Sequence, residues 1–339
     1  MAGAALIAFL SLPVLSAGAQ SSNYQVKDHW KIGGEGGWDY LAVDPQTHAL
    51  YVTHGTRVEV IDTQSGKSIG SITGLKGTHG VAFDKAGKYG YISDGAANAV
   101  VVFDRHSRQV VTSIPAGTNP DGILYEPVTA TVWAFNGRSN NATVIDAAQN
   151  KVAGTVDLPG KPEFPVADGK GTVFVNIEDK NEIVRLDAKS RKPTATWSLS
   201  PLESPSGLAM DMTHRRLFSV CDGKHMAVVN ADTGKVIATP EIGEGPDAAA
   251  FDAKNGLTFS SNGDGTLTVV KEKSPDSFAV VQTLDTQKGA RTMALDPGTG
   301  RIYLTTAEFG PRPAPTADKP HPRPSIVPGS FVVLVVGSK

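Results

Sequence analysis

Leu41-Ala42-Val43-Asp44 and Val81-Ala82-Phe83-Asp84 are one short phrase written twice, a small or apolar run that stops on an acid. The same stop recurs at Glu126, Asp168, Asp211, Asp252 and Asp296, so seven copies stand 40, 42, 42, 43, 41 and 44 residues apart. A steady period of this size means one supersecondary unit copied in space. Outward from each acid, every unit shows four strand signals separated by turn residues. In the second unit they are residues 80–83, 89–93, 99–103 and 110–114; in the first, 40–43, 49–53, 58–61 and 68–72. Alternation and β-branched content suit twisted antiparallel strands, and the Gly, Pro and Asn breakers every few residues exclude helices.

Seven units of four antiparallel strands predict an all-β fold, a seven-bladed β-propeller with the WD40-like repeat length. A linear stack of such sheets would expose its end edges, whereas a ring removes them. The seventh unit offers strands at 301–305 and 331–336 but no fourth, and segment 24–32 is strand-like and unclaimed. That N-terminal segment is expected to complete the last blade and latch the ring.

The chain has 339 residues, room for two average domains, but the repeat runs from about residue 36 to the end. Residues 20–339 are therefore expected to form a single propeller domain. Gly 36 and Pro 22 are high, as many tight turns require. A net charge of −2 gives no basic footprint, so nucleic acid is not an expected partner. Residues 1–19 read as a signal peptide: an apolar run at 6–15, then Ala17-Gly18-Ala19 before Gln20, although the basic start of such signals is missing. A periplasmic or secreted, monomeric protein without a membrane span is expected, since the apolar run is too short to cross a bilayer. Cys221 is the only cysteine, so no disulfide can form within the chain. It reads as a small packed residue rather than a nucleophile.

Leu50-Tyr51-Val52-Thr53, residues 60–67 (VIDTQSGK) and residues 230–238 (NADTGKVIA) resemble the YVTN-type β-propeller repeat. Asn119-Pro120-Asp121-Gly122-Ile123 and residues 204–209 (SPSGLA) match its Pro-x-Gly blade opening. The resemblance covers essentially the whole mature chain and is nearest to the exported bacterial YncE-like group. It implies a periplasmic seven-bladed propeller and says little about activity; single-stranded DNA binding has been proposed in that group. Blades 4 and 7 depart from the pattern, with Glu163-Phe164 and Arg291-Thr292 in place of x-Gly.

The start of strand one and the end of strand two share a face, so two residue sets should ring one mouth of the central channel. The blade-opening positions, five before each anchoring acid, are Asp39, His79, Asp121, Glu163, Ser206, Asp247 and Arg291. The strand-two ends are His54, Asp94, Asn136, Asn176, Glu178, Asp222, Asn262 and Glu308. Asp39, His79, Asp121, Glu163, Asp247 and Arg291 are the candidate ligand-binding residues. Converging carboxylates repel, so a cation, a proton or Arg291 must offset them. Oxygen donors of this kind suit calcium, magnesium or manganese better than zinc, and a divalent cation is the cofactor they would accept. The anchoring acids are expected to be structural, bonding local amides in the strand-one-to-two turn. Asp62, Asp104, Asp146 and Asp187 at the strand-three ends are read the same way. His54 and His79 on neighbouring blades do not by themselves define a metal site.

No Gly-x-Ser-x-Gly elbow, phosphate-cradling loop or haem attachment pair occurs, and no catalytic residue is assigned. The first functional reading is a ligand-binding or protein-interaction propeller whose partner, a small ligand or a periplasmic protein, meets the channel mouth. Its rival is a metal-assisted lactonase- or lyase-like enzyme, with Asp39, Asp121, Glu163 and Asp247 as ligands and His79 as acid–base. A third is single-stranded DNA binding, for which Trp38, Tyr40 and Phe164 near the rim would have to stack bases. Residues 308–330, with seven prolines, interrupt the last blade and read as an extended insertion or as a lid over the mouth, to which Arg312, His321 and Arg323 would bring positive charge.

Overall fold

The computed structural model describes residues 23–316 and 322–339 and consists of seven four-stranded antiparallel sheets. Each is one blade, and in the first six the strands follow chain order from the inside outward. The blades cover residues 38–72, 78–115, 120–157, 162–198, 208–238 and 246–285. The seventh combines Thr292–Leu295, Ile302–Thr306, Val332–Ser338 and the N-terminal strand Tyr24–Lys31. That first strand runs antiparallel to Val332–Ser338, with Tyr24 opposite Ser338 and Lys31 opposite Val332. The expected latch is present. Among the described residues no helix is long and apolar enough to cross a membrane.

Alternation along the strands builds the core. In strand Ala49–His54, Ala49 and Tyr51 pack toward blade 2, while Leu50 and Val52 pack toward blade 7. Both faces of a blade are thus buried, and one apolar cluster fills each of the seven seams between neighbours. Cys221 is fully buried in the seam of blades 4 and 5, where burial pushes its thiol up to about 11 despite a bond to Ser219. It is a packed, inert residue, as expected.

The anchoring acids hold the turns. Asp44 accepts the Gln46 amide, Asp84 those of Lys88 and Tyr89, and Glu126 those of Val128 and Thr129. Asp168, Asp211, Asp252 and Asp296 repeat the arrangement. Asp62, Asp104, Asp146 and Asp187 cap the strand-three turns likewise.

The proline-rich segment is anchored at its base. Phe309 bridges Ile326, Gly310 donates to the Ser325 carbonyl, and the Phe309 ring lies 6.1 Å from Trp38 at the opening of blade 1. Arg312 and Arg323 form no ion pair with the acidic rim among the described residues. His321 and the expected signal peptide lie outside the described residues.

Candidate functional site at the channel mouth

The innermost strand of each blade begins at one end of the channel, and its second residue carries the candidate side chain. Asp39 is second in Trp38–Asp44, His79 in Thr78–Phe83, Asp121 in Pro120–Glu126, Glu163 in Pro162–Ala167 and Asp247 in Pro246–Asp252. Arg291 immediately precedes Thr292–Leu295. The equal position in each copy sets these groups on one ring.

Three of them converge. His79 Nδ1 lies 2.6 Å from Asp39 Oδ2 and 3.6 Å from Asp121 Oδ1. One donor atom from each of the three falls within 4.8 Å of the others, a spacing that a metal ion can bridge. Asp121 Oδ1 is buried and accepts no hydrogen bond. The remaining acids have cations of their own. Arg291 Nε is 3.2 Å from Asp247 Oδ2, and Lys161 Nζ is 2.6 Å from Glu163 Oε1 and also bonds Glu178.

Burial governs the protonation of this ring. It raises Asp121 to about 6, helped by Asp39, and Asp247 to about 6 against the pull of Arg291. Glu163 rises to about 8 through burial and the Asp121 charge, only partly countered by Lys161. Asp39 is also raised, burial outweighing its bond to His79. Burial alone would lower His79; the Asp39 bond and the fields of Asp121 and Glu163 override it and raise the imidazole to about 9. His79 is therefore a cation at neutral pH.

Below the ring two aromatic side chains meet across the channel. The Tyr40 and Phe164 rings meet edge to face, 5.0 Å apart. They belong to blades 1 and 4, which are not neighbours, so the contact has to cross the lumen. Each stands where blades 2, 3 and 5 carry glycine and blades 6 and 7 carry Ala248 and Thr292. In blades 3 and 5 that glycine is obligatory: a Cβ on Gly122 would lie 2.6 Å from the Glu163 carbonyl, and one on Gly207 2.6 Å from the Ala249 amide. Tyr40 lies deep, its phenol held well above its usual range by burial and the surrounding carboxylates.

Several sequence expectations change here. Tyr40 is 5% exposed and Trp38 packs on Phe331, so neither offers an open stacking face to a base. Most strand-two ends are internal: Asp94 accepts the Lys76 and Gly77 amides, Asn136 bonds Asn141 and Thr143, and Asn176 bonds the Ser206 carbonyl. His54 stacks on Phe331 and faces Arg57; burial first, then that guanidinium, lower it to about 4. It belongs to neither of the donor clusters found among the described residues. Ser206 donates to the Pro246 carbonyl. Lys161 and Glu178 enlarge the site, and the place of Lys161 two residues before Glu163 was the available signal for it.

Fold and site together define a seven-bladed propeller with an acidic mouth over an aromatic floor. No protein-family model matches the chain. A stretch of 149 residues is 28% identical to the uncharacterized protein YncE of Salmonella typhi, and equally to YncE of Salmonella typhimurium strain LT2. The match covers 42% of this chain and 42% of each relative, less than half the length of either. Among solved structures, the WD40 repeats of RRP9 superpose with a TM-score of 0.77 at 10% identity, over 94% of this chain and 98% of that one. U3-55K gives 0.76 at 10% identity, over 93% and 98%. A chain of Kuenenia stuttgartiensis hydrazine synthase gives 0.71 at 15% identity, over 79% and 92%. Likeness at these identities shows a common fold only.

Proposed function

We propose that the chain is an exported, YncE-like binding propeller whose ligand carries positive charge and sits at the acidic channel mouth. The observation that carries this reading is Asp121 Oδ1, a buried carboxylate oxygen without a hydrogen bond, beside the Asp39–His79 pair. The surrounding charge supports it. Five carboxylates (Asp39, Asp121, Glu163, Glu178, Asp247) share three bases (His79, Lys161, Arg291), so the ring is short of positive charge. Burial raises these carboxyl groups first, and the neighbouring carboxylates add to it. A divalent cation or a protonated amine supplies what is missing, and the aromatic floor limits how deep it enters.

The test is thermal unfolding of the mature protein with calcium, magnesium, manganese, zinc or a linear diamine, against a chelated control. A ligand of the native state adds about 2.7 kcal/mol to the unfolding free energy at a hundredfold excess over Kd, and so raises the midpoint. A shift that disappears in Asp121→Asn supports the reading; no shift, or one kept in that variant, refutes it. A second reading, metal-assisted hydrolysis or elimination, is favoured by the three donors of Asp39, His79 and Asp121 lying within 4.8 Å. Turnover of a lactone panel that requires the ion and is lost in Asp121→Asn would select it. Export through residues 1–19 is checked by fractionating cells that express the full chain.

A further inference from the structure

On the opposite face of the ring, blades 5 and 6 bring a second set of donors together. Asp211 anchors the strand-one-to-two turn of blade 5, and His214 stands three residues on. In blades 1, 3, 6 and 7 that position is Thr47, Thr129, Asn255 or Thr299, each donating a neutral hydrogen bond to its own anchoring acid. Only in blade 5 is it an imidazole, with Nδ1 at 2.7 Å from Asp211 Oδ2.

Blade 6 adds Glu272, whose Oε1 lies 2.9 Å from His214 Nδ1. Its backbone amide bonds the Gly256 carbonyl, just as that of Arg105 in blade 2 bonds Lys88 and those of Ala147, Ala188 and Ala231 bond their own turns. These residues occupy one slot of the repeat. In blade 2 the slot holds an arginine that pairs with the anchoring acid of the preceding blade, Asp44. In blade 6 the same slot holds a carboxylate facing Asp211. The fold therefore has no need of an acid there, and a like-charge contact replaces an ion pair.

The Glu272 side chain is 5% exposed, and its Oε1 is buried with no hydrogen-bond partner beyond the His214 contact. Donor atoms of Asp211, His214 and Glu272 all fall within 4.8 Å of one another. They line a cavity of about 420 Å³ shared with Thr213, Phe251 and Pro275. Arg216 is committed elsewhere, to the Pro275 carbonyl and Asp276, and fixes the blade 6 hairpin against the blade 5 turn.

We propose that Asp211, His214 and Glu272 form a divalent transition-metal site in the seam of blades 5 and 6, separate from the channel mouth. One imidazole nitrogen and two carboxylate oxygens suit zinc or manganese better than calcium or magnesium. Three protein donors leave coordination positions open toward the cavity, where water or a small anion can complete the shell.

Calorimetric titration of the full mature chain with zinc and with manganese tests this, using wild type, His214→Gln, Glu272→Gln and Asp121→Asn. Wild type is expected to bind one equivalent that is lost, or weakened at least about tenfold, in the first two variants and kept in Asp121→Asn. His214 is surface-accessible, so its replacement leaves the fold intact. Thermal unfolding of the metal-free proteins supplies a second readout. Glu272→Gln removes the like-charge contact and is expected to match or exceed wild type in stability, whereas a purely structural ion pair would make it weaker. Absence of binding by wild type, binding unchanged in both seam variants, or a single equivalent lost only in Asp121→Asn overturns the proposal. The last outcome leaves the channel-mouth reading standing, so the two sites fail separately.

Discussion

Arg105, with a side chain 3% exposed, reaches from blade 2 into the turn of blade 1, its terminal nitrogen 2.6 Å from Asp44 Oδ2. A second nitrogen bonds the Asp84 carbonyl, so one guanidinium ties two anchoring turns together. Removing one partner of a buried pair strands the other charge, and Arg105→Met is expected to lose about 3 kcal/mol in urea unfolding. A loss below ~1 kcal/mol would show that the Thr47 and Gln46 bonds suffice for Asp44. The anchoring acids were legible in the sequence because they recur at one period. Arg105 was not, since nothing in a linear chain marks which arginine crosses a seam. Phe164 is a different case. Its departure from x-Gly was visible, but its partner Tyr40, three blades away across the ring, was not. Phe164→Ala removes one side of the aromatic floor and, the ring being only partly buried, is expected to cost about 2 kcal/mol. Tyr40→Phe, which keeps the ring contact, should stay within ~1 kcal/mol of wild type in the same experiment.

At the scale of elements, the N-terminal strand decides whether the molecule is a ring or an open arc. Tyr24–Lys31 supplies the outer strand of blade 7, and Tyr24 is buried against Phe259 of blade 6, their centroids 5.1 Å apart. A chain beginning at residue 33 leaves Val332–Ser338 as an unpaired edge and uncovers that seam. Its unfolding midpoint is expected to fall by on the order of 10 °C, with aggregation through the bared edge. A synthetic peptide of residues 23–32 added in trans should recover part of the loss; an unaltered midpoint in the truncated chain would mean that the latch is dispensable. This closure followed from counting strands, because the last unit lacks one and the first residues carry a spare. Strand bounds agreed to within about two residues, and for the same reason: period-2 alternation ends where turn residues begin. Of the strand-two ends, Glu178 does join the mouth through Lys161, whereas others are internal, because spacing gives the end of the ring that they occupy but not whether a backbone group already claims them. Asp94 and Asn176 are claimed.

The whole molecule should respond to pH through two opposed sets of carboxylates. Asp44 and Asp168 are lowered: burial opposes this, but the Arg105 bond and, at Asp168, backbone amides and Arg215 prevail. Their stabilisation is complete above the ordinary carboxyl value of 3.8 and is lost as pH falls below it through their lowered folded values. The mouth behaves in reverse. Asp121, Asp247 and Glu163 hold protons more tightly folded than unfolded, so their contribution is complete below the ordinary range and lost as pH rises through about 6 for the aspartates and about 8 for Glu163. His79 has the same sign, since a raised imidazole stabilises below 6.5 and ceases to do so as pH rises through about 9. The unfolding midpoint is therefore expected to peak at about pH 5 and to fall by several degrees toward about pH 9. A bound cation replaces the lost protons, so its stabilising effect should grow across the same interval, being small at acid pH where protons compete for the same oxygens. Glu163→Gln fixes the neutral form of one member and is expected to flatten the alkaline decline and weaken the cation effect together. Calorimetric scans across this range, with and without the ion that binds, decide the matter: a midpoint that climbs steadily from acid to alkaline pH would mean that the ring is already neutralised by its own three bases, and the case for a cationic ligand would go with it.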